Sequence, residues 1–306
     1  MKFAYRPKTW QAYKAMFLVY MSFCDFLQTP FHQPSIFTLL AFIECLAFND
    51  LKPASINNYI SAIKSKFQWF SLDLQVFQHP ALHHMLKAIE RSISITPILK
   101  GVFQISHLET IVKLCSLFQN ELCFKAIYTL AFFSFMRLSN LVPESLSKFD
   151  IKKHLCRGDI LFEPTHAIVI VKWSKTIQTQ SKGTYIIIPK LGQNILCPVT
   201  ALHTMIQAFQ APSNAPLFTS KLGILTQSKV RTHLKKVLAH MNLPPASFSF
   251  HTFRRSGATF AFNSQVDLHS IKRHGTWSSD AVHSYIIQDP VNAATVSQTF
   301  QRLLST

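Results

Sequence analysis

Six side chains in this sequence could together act on a phosphodiester. In chain order they are Arg137, Lys175, His251, Arg254, Trp277 and Tyr285. Guanidinium groups bind phosphate oxygens bidentately, and a histidine or lysine beside them can transfer a proton. A tyrosine hydroxyl is a poor nucleophile when free, because its pKa is about 10, but a positive field favours its ionised form. Such a set could break a nucleic-acid backbone and hold the broken end as a phosphotyrosine.

The histidine and the second arginine are three residues apart at the start of a predicted helix. His251 and Arg254 should therefore share a face and point at one phosphate, although His-x-x-Arg also occurs by chance in basic surface turns. Arg137 directly follows the apolar run 126–136. Its guanidinium should be paired or face a cavity, unless it only meets the dipole at a helix C-terminus.

The candidate nucleophile is distinguished by its position alone. Seven tyrosines occur in the sequence, and several of them fit the apolar stripes of predicted helices. Tyr285 follows the His-x-x-Arg motif and Trp277. Residues 278–280 read Ser-Ser-Asp, which is typical of a helix start because these side chains cap free N–H groups. The pattern predicts a last helix that carries Tyr285.

The charge of the chain indicates a polyanionic partner. Its 306 residues include 31 Lys and Arg against 14 Asp and Glu, a net charge of +17. Residues 1–100 carry ten basic and five acidic side chains, and residues 101–306 carry 21 and nine. Because both halves are basic, we expect nucleic acid to contact both. Charge alone would also suit a membrane surface or a role in solubility.

Several other classes of function lack their sequence signals. The six cysteines include no Cys-x-x-Cys pair, and no His/Cys spacing resembles a closed metal site. The seven glycines form neither a phosphate-binding loop nor a dinucleotide fingerprint, so we expect no metal and no cofactor. No apolar stretch of about 18 residues is present and no apolar leader follows Met1. We therefore expect neither a membrane span nor secretion.

Apolar periodicity predicts the elements that must position these side chains. Within residues 9–95, four runs place apolar residues at three- and four-residue steps, which predicts a small helical bundle. Residues 97–101 interrupt this periodicity and are the predicted linker. A helical pattern resumes at Ser106, whose spacing to Glu109 is that of a capping box.

The second region then changes from helical to strand-like periodicity. An antiparallel sheet is predicted by three short β-rich runs, at 159–163, 166–173 and 184–189. Lys175 would lie at the tip of the hairpin between the last two strands, and Lys172, within a strand, is the competing lysine. Helices return after Pro198, and the helix predicted over 226–240 is strongly basic.

The order Arg, hairpin Lys, His-x-x-Arg, Trp, Tyr resembles the active site of the tyrosine recombinases, or phage-type integrases. The resemblance covers nearly the whole chain and implies a mainly α fold with a small antiparallel β-sheet. It divides the chain into a helical core-binding domain, a linker and an α+β catalytic domain, at 1–96, 97–101 and 102–306. The resemblance is greatest to recombinases of eukaryotic mobile elements, Crypton-like or DIRS-like, in the segments 136–141, 173–176 and 275–280. This branch implies a nuclear location.

The resemblance implies how the phosphate would be bound. Arg137 and Arg254 would clamp the scissile phosphate. His251 would hydrogen-bond it or manage the proton of the nucleophile. Trp277 would pack against the phosphate or hydrogen-bond it through its indole nitrogen.

The resemblance also implies how the bond would be broken. Lys175 would protonate the leaving 5′-hydroxyl, and Tyr285 would form the 3′-phosphotyrosine. The partner would be double-stranded DNA, bound by a homo-tetramer on two DNA sites. An apolar stripe within residues 291–304 predicts a terminal helix that docks on a neighbouring copy.

Two features depart from the family pattern. Asn140 stands where many bacterial relatives carry an acidic residue that buttresses the first arginine, and it offers hydrogen bonds without charge. Trp277 and Tyr285 are eight residues apart, where nine is common. The expected activity is site-specific DNA recombination. The alternatives are a non-catalytic DNA-binding descendant of such an enzyme and a type IB topoisomerase, which shares the chemistry but relaxes DNA.

Overall fold

The structure is a computed structural model of the chain. It describes three stretches, residues 7–92, 100–173 and 184–287. Three predictions fall outside them: the hairpin tip with Lys175, most of the linker, and the tail at 290–306. The chain divides into two compact units, Met1–Pro97 and Ile98–Thr306.

The first unit contains four α-helices whose apolar faces pack together. They are α1 (Pro7–Phe26), α2 (Ile36–Phe48), α3 (Pro53–Trp69) and α4 (Pro80–Ser92), with a 3₁₀ turn at Gln75–Gln78. Ser35 caps α2 by accepting a hydrogen bond from the N–H of Thr38 at 3.1 Å. Pro53 opens α3, where a backbone N–H would have no helical partner. All four helices contribute to one apolar cluster, which includes Phe17, Phe42, Phe67 and Ile89.

The second unit is built around one helix that is buried along most of its length. Its helices are α5 (Ile105–Leu114), the buried α6 (Glu121–Ser134), α7 (Leu138–Leu141), α8 (Pro198–Ala208), α9 (Gln227–His240), α10 (Phe250–Asn263) and α11 (Leu268–His274). Short 3₁₀ helices lie at Cys115–Leu117, Leu146–Lys148, Arg157–Asp159 and Asp280–Ser284. Helix α10 packs very closely on α6, because a Cβ at Gly257 would overlap the carbonyl oxygen of Phe132. This close packing fixes the position of α10, which carries His251 and Arg254.

A three-stranded antiparallel sheet packs on α6. Its strands are β1 (Ile160–Phe162), β2 (His166–Val171) and β3 (Thr184–Pro189), in that order. Val169 in the central strand pairs with Ile160 on one side and with Ile186 on the other. Alternate residues of β2 are buried, so one face of the sheet covers the core. A second small sheet pairs β4 (Thr219–Ser220) with β5 (Gly223–Ile224).

The predicted fold class, mainly helical with small antiparallel sheets, is confirmed. Strand β2 ends at Val171, so Lys172 follows the strand and does not lie within it. The predicted capping box at Ser106 is wrong, because α5 begins two residues earlier than such a box requires. Its cap is Gln104, whose N–H donates to Nδ1 of His107 at 3.2 Å. No helix in the described stretches is both long and apolar enough to cross a membrane.

Candidate active site

Helix α10 carries the histidine and the second arginine of the set near its N-terminus. The N–H of Ser249, just before the helix, donates to Oγ1 of Thr252 at 2.9 Å and fixes the first turn. His251 lies in this turn with part of its ring exposed, whereas Arg254 is only 1% exposed. The two side chains therefore share a face of α10 but lie at different depths.

The guanidinium of Arg254 is held from two directions. Its Nη1 donates to the carbonyl oxygen of Phe135, a residue with a left-handed φ of 53° that ends α6. Its Cζ lies 3.6 Å from the centroid of the Trp277 ring, a cation–π contact. Among the described residues, the buried Nε and Nη2 atoms have no hydrogen-bond partner. Because a buried charge with free donors is unfavourable, this position is suited to a bound anion.

Trp277 reaches the arginine because the chain folds back sharply after α11. Its backbone N–H donates to the carbonyl oxygen of Lys272 at 2.9 Å, and Thr276 adopts a φ of 55°. A Cβ on Gly275 would overlap the Trp277 ring, so this turn requires glycine. Within the part of the chain that the structure describes, the buried indole Nε1 has no partner. It is a third unpartnered donor beside the two of Arg254.

The hydroxyl of Tyr285 contacts the histidine. The Tyr285 oxygen and Nε2 of His251 are 2.7 Å apart. The Tyr285 ring meets the Trp277 ring edge-on, with centroids 5.1 Å apart, and its centroid lies 5.4 Å from Cζ of Arg254. The structure thus brings four of the six predicted side chains into one cluster.

The segment that carries Tyr285 differs from its prediction. The predicted helix is wrong: Asp280–Ser284 form a short 3₁₀ helix capped by Ser279, and the tyrosine follows it. The segment is instead held by the Thr259 hydroxyl of α10. This hydroxyl donates to the carbonyl oxygen of Tyr285 and accepts from the N–H of Ile287, each at 3.1 Å.

Arg137 stands at the start of α7, three residues after the end of α6. It lines a cleft of about 420 Å³ together with His251 and with Arg231 and Lys235 of α9. Its charge also lowers the pKa of both His251 and Arg254, so the three side chains share one electrostatic environment. Arg137 therefore faces a cavity, as the first of the two interpretations predicts. It lies beyond the last turn of α6, which does not favour the alternative of a contact with the dipole of that helix.

Burial and neighbouring cations keep the histidine neutral. Packing around one side of the His251 ring, followed by the charges of Arg254 and Arg137, lowers its pKa from 6.5 to about 4. A neutral imidazole can accept the proton of the Tyr285 hydroxyl at Nε2. Burial and Arg137 also lower the pKa of Arg254, which remains protonated at neutral pH.

The two candidate lysines have different surroundings. Nζ of Lys172 lies 2.6 Å from the Asp159 carboxylate and 3.3 Å from Sγ of Cys156. This ion pair directs the Lys172 ammonium towards Asp159. Lys175 lies outside the described residues, so its place at the site stays a prediction.

Asn140 has a role that the motif did not predict. Its Nδ2 donates to the carbonyl oxygen of Trp173 at 2.5 Å. Trp173 follows β2 and directly precedes residues 174–183, which contain Lys175. Asn140 therefore links the turn that holds Arg137 to the base of the predicted lysine hairpin.

Two further buried residues of α10 were not among the predicted site residues. Arg255 is 9% exposed and Thr259 is 5% exposed, and both follow His251 on α10 at four-residue intervals. That helical spacing was the available signal, because residues four apart share a face with the histidine.

Helix α9 extends the positive surface away from the cleft. Its apolar face is buried, with Val230 and Val237 fully inaccessible, and this packing fixes the orientation of the helix. Lys229 and Lys236 are exposed on the same helix as the cleft-lining Arg231 and Lys235.

The chain is similar in sequence and in fold to known integrases and recombinases. No known protein-family model matches the chain. The chain is 27% identical over 267 residues to an integrase/recombinase XerD homolog of Selenomonas ruminantium, covering 82% of this chain and 73% of that protein. Among solved structures, the Tn1549 transposon integrase in complex with transposon right end DNA aligns with a TM-score of 0.69 and 14% identity, over 99% of this chain and 96% of that one.

A second solved structure supports the same architecture. The XerH site-specific recombinase bound to difH substrate, in a pre-cleavage complex, aligns with a TM-score of 0.62 and 15% identity. The alignment covers 95% of this chain and 78% of that one. The chain therefore has the same fold as this transposon integrase and this site-specific recombinase, mainly helical with small antiparallel sheets.

Proposed function

We propose that this protein is a site-specific DNA recombinase that cuts and rejoins DNA through a 3′-phosphotyrosine on Tyr285. The observation that carries the proposal is the tyrosine hydroxyl 2.7 Å from a neutral histidine, next to buried donors that lack a partner among the described residues. These donors belong to Arg254 and Trp277. Free donors beside a nucleophile are what a phosphodiester needs in its transition state, where charge gathers on the non-bridging oxygens.

Each step of the reaction then has a residue of this chain. Arg137, Arg254 and the Trp277 N–H bind the non-bridging oxygens. The Tyr285 oxygen attacks phosphorus while its proton passes to Nε2 of His251. The bond from phosphorus to the 5′-oxygen breaks, and we assign the proton that this oxygen receives to Lys175. The reverse reaction uses the free 5′-hydroxyl as nucleophile, and because the phosphotyrosine retains the bond energy, no ATP is needed.

Duplex DNA is the substrate that the surface supports best. The basic face of α9 lies next to the cleft that contains Arg137 and His251. A net charge of +17 favours binding of a polyanion. The similar solved structures are complexes with transposon or difH DNA, which agrees with this assignment.

The finer parts of the proposal concern assembly and origin. We propose a homo-tetramer on two DNA sites, in a protein encoded by a mobile element of the Crypton-like or DIRS-like branch that acts in the nucleus. Similarity in the segments 136–141, 173–176 and 275–280 supports this branch. The DNA flanking the gene would test the origin, since terminal repeats or a neighbouring reverse transcriptase identify the element.

A nicked suicide duplex tests the central proposal. Cleavage beside the nick releases a short fragment that cannot rejoin, so the covalent adduct accumulates and is seen on a denaturing gel. The parent protein should form the adduct and Tyr285→Phe should form none. Tyr185→Phe is the matched control, because Tyr185 is 68% exposed on β3 and is not part of the cluster.

This gel, together with assays of DNA binding and of supercoil relaxation, separates the competing functions. DNA binding by the parent without any adduct would make the protein a non-catalytic DNA-binding descendant, and an adduct that persists in Tyr285→Phe would exclude Tyr285 as the nucleophile. Relaxation of supercoiled DNA without strand exchange between two sites would assign the chain to topoisomerase activity instead.

A further inference from the structure

A second arginine of the catalytic-type unit is buried with donors left over. Arg157 is the first residue of the 3₁₀ helix Arg157–Asp159 and is only 6% exposed. Its Nη2 donates to the carbonyl oxygen of Thr219 at 2.8 Å. Its Nε and Nη1 are inaccessible to solvent and have no hydrogen-bond partner among the described residues. A buried guanidinium with two unused donors is strongly unfavourable, so this position requires a further acceptor.

The acidic side chains on the neighbouring elements are paired with other groups. Asp159, in the same 3₁₀ helix, lies 2.6 Å from Nζ of Lys172 and accepts the N–H of Cys156 at 2.6 Å. Glu121, in the first turn of α6, lies 3.2 Å from Nζ of Lys125. These two carboxylates are therefore directed at lysines, and the charge of the arginine is left without a counter-ion.

The backbone around Arg157 encloses it tightly. The N–H of Arg157 donates to the carbonyl oxygen of Ala215 at 3.0 Å, and the N–H of Gly158 donates to that of Ser213 at 2.8 Å. A Cβ on Gly158 would lie 3.2 Å from Cβ of Ser213, so the loop 213–219 packs closely on the 3₁₀ helix. Because Nε and Nη1 are inaccessible, a DNA backbone cannot reach them, and the acceptor must be small.

The start of α6 adds positive potential beside the arginine. Ser220, which follows Thr219, donates its hydroxyl to Oδ1 of Asn120 at 2.7 Å, and Asn120 directly precedes α6. Burial raises the pKa of Cys123, in the first turn of α6, to about 12, and the charge of Arg157 opposes this rise. Within the described residues no side chain caps the N-terminus of α6, and free N–H groups at a helix start favour an anion.

We propose that Arg157 binds a small anion of the halide class, such as chloride, enclosed between the 3₁₀ helix, the loop 213–219 and the start of α6. The anion accepts from Nε and Nη1, neutralises the guanidinium and holds the loop against α6. The inference does not depend on the proposed function. Arg254 contacts Phe135, which ends α6, whereas Arg157 lies near the first turn of that helix, whose 14 residues span roughly 21 Å.

Thermal unfolding in mixed salts tests this site. Sodium chloride replaces sodium methanesulfonate at constant ionic strength, so that general screening does not change. The melting temperature of the parent should rise by roughly 3–6 °C for each tenfold increase in chloride above its Kd. Arg157→Met keeps the length of the side chain without its donors and should lose this rise. Arg273→Met, which removes an exposed arginine of α11, should keep it.

A further variant separates this site from the cluster around Tyr285. Arg254→Met should keep the chloride-dependent rise, because the enclosed anion lies at the other end of α6. A rise that is lost in Arg254→Met and retained in Arg157→Met would assign the anion to the Tyr285 cluster and overturn the inference. A melting temperature of the parent that does not depend on chloride would overturn it as well.

Diffraction supplies a readout that requires no variant to fold. Crystals of the parent soaked in sodium bromide should show an anomalous peak within hydrogen-bond distance of Nε and Nη1 of Arg157. A water molecule in this position under bromide, or no anomalous peak there, contradicts the inference. A failure of the parent to form the covalent adduct with the nicked duplex refutes the proposed function alone, since neither the melting experiment nor the bromide soak uses DNA.

Discussion

At the scale of single residues, His251 combines a short hydrogen bond with a strongly positive environment. Burial, Arg254 and Arg137 together lower its pKa to about 4, so the ring is neutral at neutral pH and Nε2 can accept a hydrogen bond from the Tyr285 hydroxyl. We predict that NMR titration of the DNA-free protein, with the resonance identified by His251→Gln, finds no transition near 6.5. Arg137→Gln removes one repelling charge and should raise the midpoint. A parent histidine that titrates near 6.5 would contradict the assignment.

Asn140 provides a second residue-scale prediction. Its Nδ2 donates to the Trp173 carbonyl oxygen, and the side chain is 4% exposed. Asn140→Asp replaces this donor by a carboxylate that faces another oxygen. The variant should lose about 1–3 kcal/mol of unfolding free energy in urea titrations. Asn140→Ala, which removes the bond without adding a charge, is the control and should be less destabilised than the aspartate variant. Equal stability of Asn140→Asp and the parent would show that the hydrogen bond from Asn140 to Trp173 does not stabilise the fold.

Residue types and spacing were sufficient to predict most of the cluster but not its internal contacts. His251 and Arg254 could be placed on one face because helical spacing is regular. The partner of Asn140 could not be predicted, since Trp173 lies 33 residues further along the chain and meets it only in the folded state. The burial of Arg255 could not be predicted either, because a basic residue next to the motif looks like ordinary surface charge in the sequence alone.

At the scale of elements, a buried histidine joins α9 to α6. Nδ1 of His233 lies 2.8 Å from the Tyr128 hydroxyl, and its ring stacks on Phe124 with centroids 3.6 Å apart. Burial lowers the pKa of His233 from 6.5 to about 4. The folded state therefore disfavours the protonated ring. Its contribution to stability is complete above about 6.5 and is lost as the pH falls towards about 4.

We therefore predict a dependence of stability on pH that originates at this helix contact. The unfolding free energy from urea titrations should fall by roughly 2–3 kcal/mol between neutral pH and the lower end of this window because of His233. His233→Phe keeps the stacking but cannot be protonated, so it should start less stable, having lost the Tyr128 hydrogen bond, and should depend less on pH. An equally steep dependence in this variant would assign the effect to other groups.

The sequence was informative about helices and strands but not about the ends of the short ones. Long apolar stripes predicted the four helices of the first unit and the three β-rich runs predicted the sheet, because burial imposes a period over many residues. The element before Tyr285 is five residues long, too short for such a period, and Ser-Ser-Asp begins a 3₁₀ helix as readily as an α-helix. The start of α5 depends on one His107 contact that spacing alone does not reveal.

At the scale of the whole molecule, the second unit has an apolar groove of about 340 Å³. Its lining includes Phe132, Phe260, Val266 and Ile271. A helix with an apolar stripe, such as the one predicted within the tail 291–304, can bind in an apolar groove of this type. We predict that deleting 290–306 weakens pairing of two DNA sites more than binding of one site, as measured by native gels with one or two labelled duplexes.

A substitution in the groove separates docking from loss of the tail itself. Val266→Asp places a charge in the groove at a position that is 42% exposed, so the fold should tolerate it, and it should reproduce the deletion. Asp267→Asn is not suitable as a control because Asp267 caps α11. Gln265→Asp, at the adjacent exposed position outside the groove, is the matched control. Normal pairing by both the deletion and Val266→Asp would leave the groove without a role in assembly.

The unpartnered donors of Arg254 and Trp277 also link ligand occupancy to thermal stability. A protein with buried donors that await an anion is less stable empty than filled, and binding at about a hundred times Kd contributes about 2.7 kcal/mol to the folded state. Sulfate, a tetrahedral dianion, should therefore raise the melting temperature of the parent more than that of Arg254→Met. The substrate would then act as part of the fold, and the protein would be most resistant to heat when it holds the backbone that it cuts.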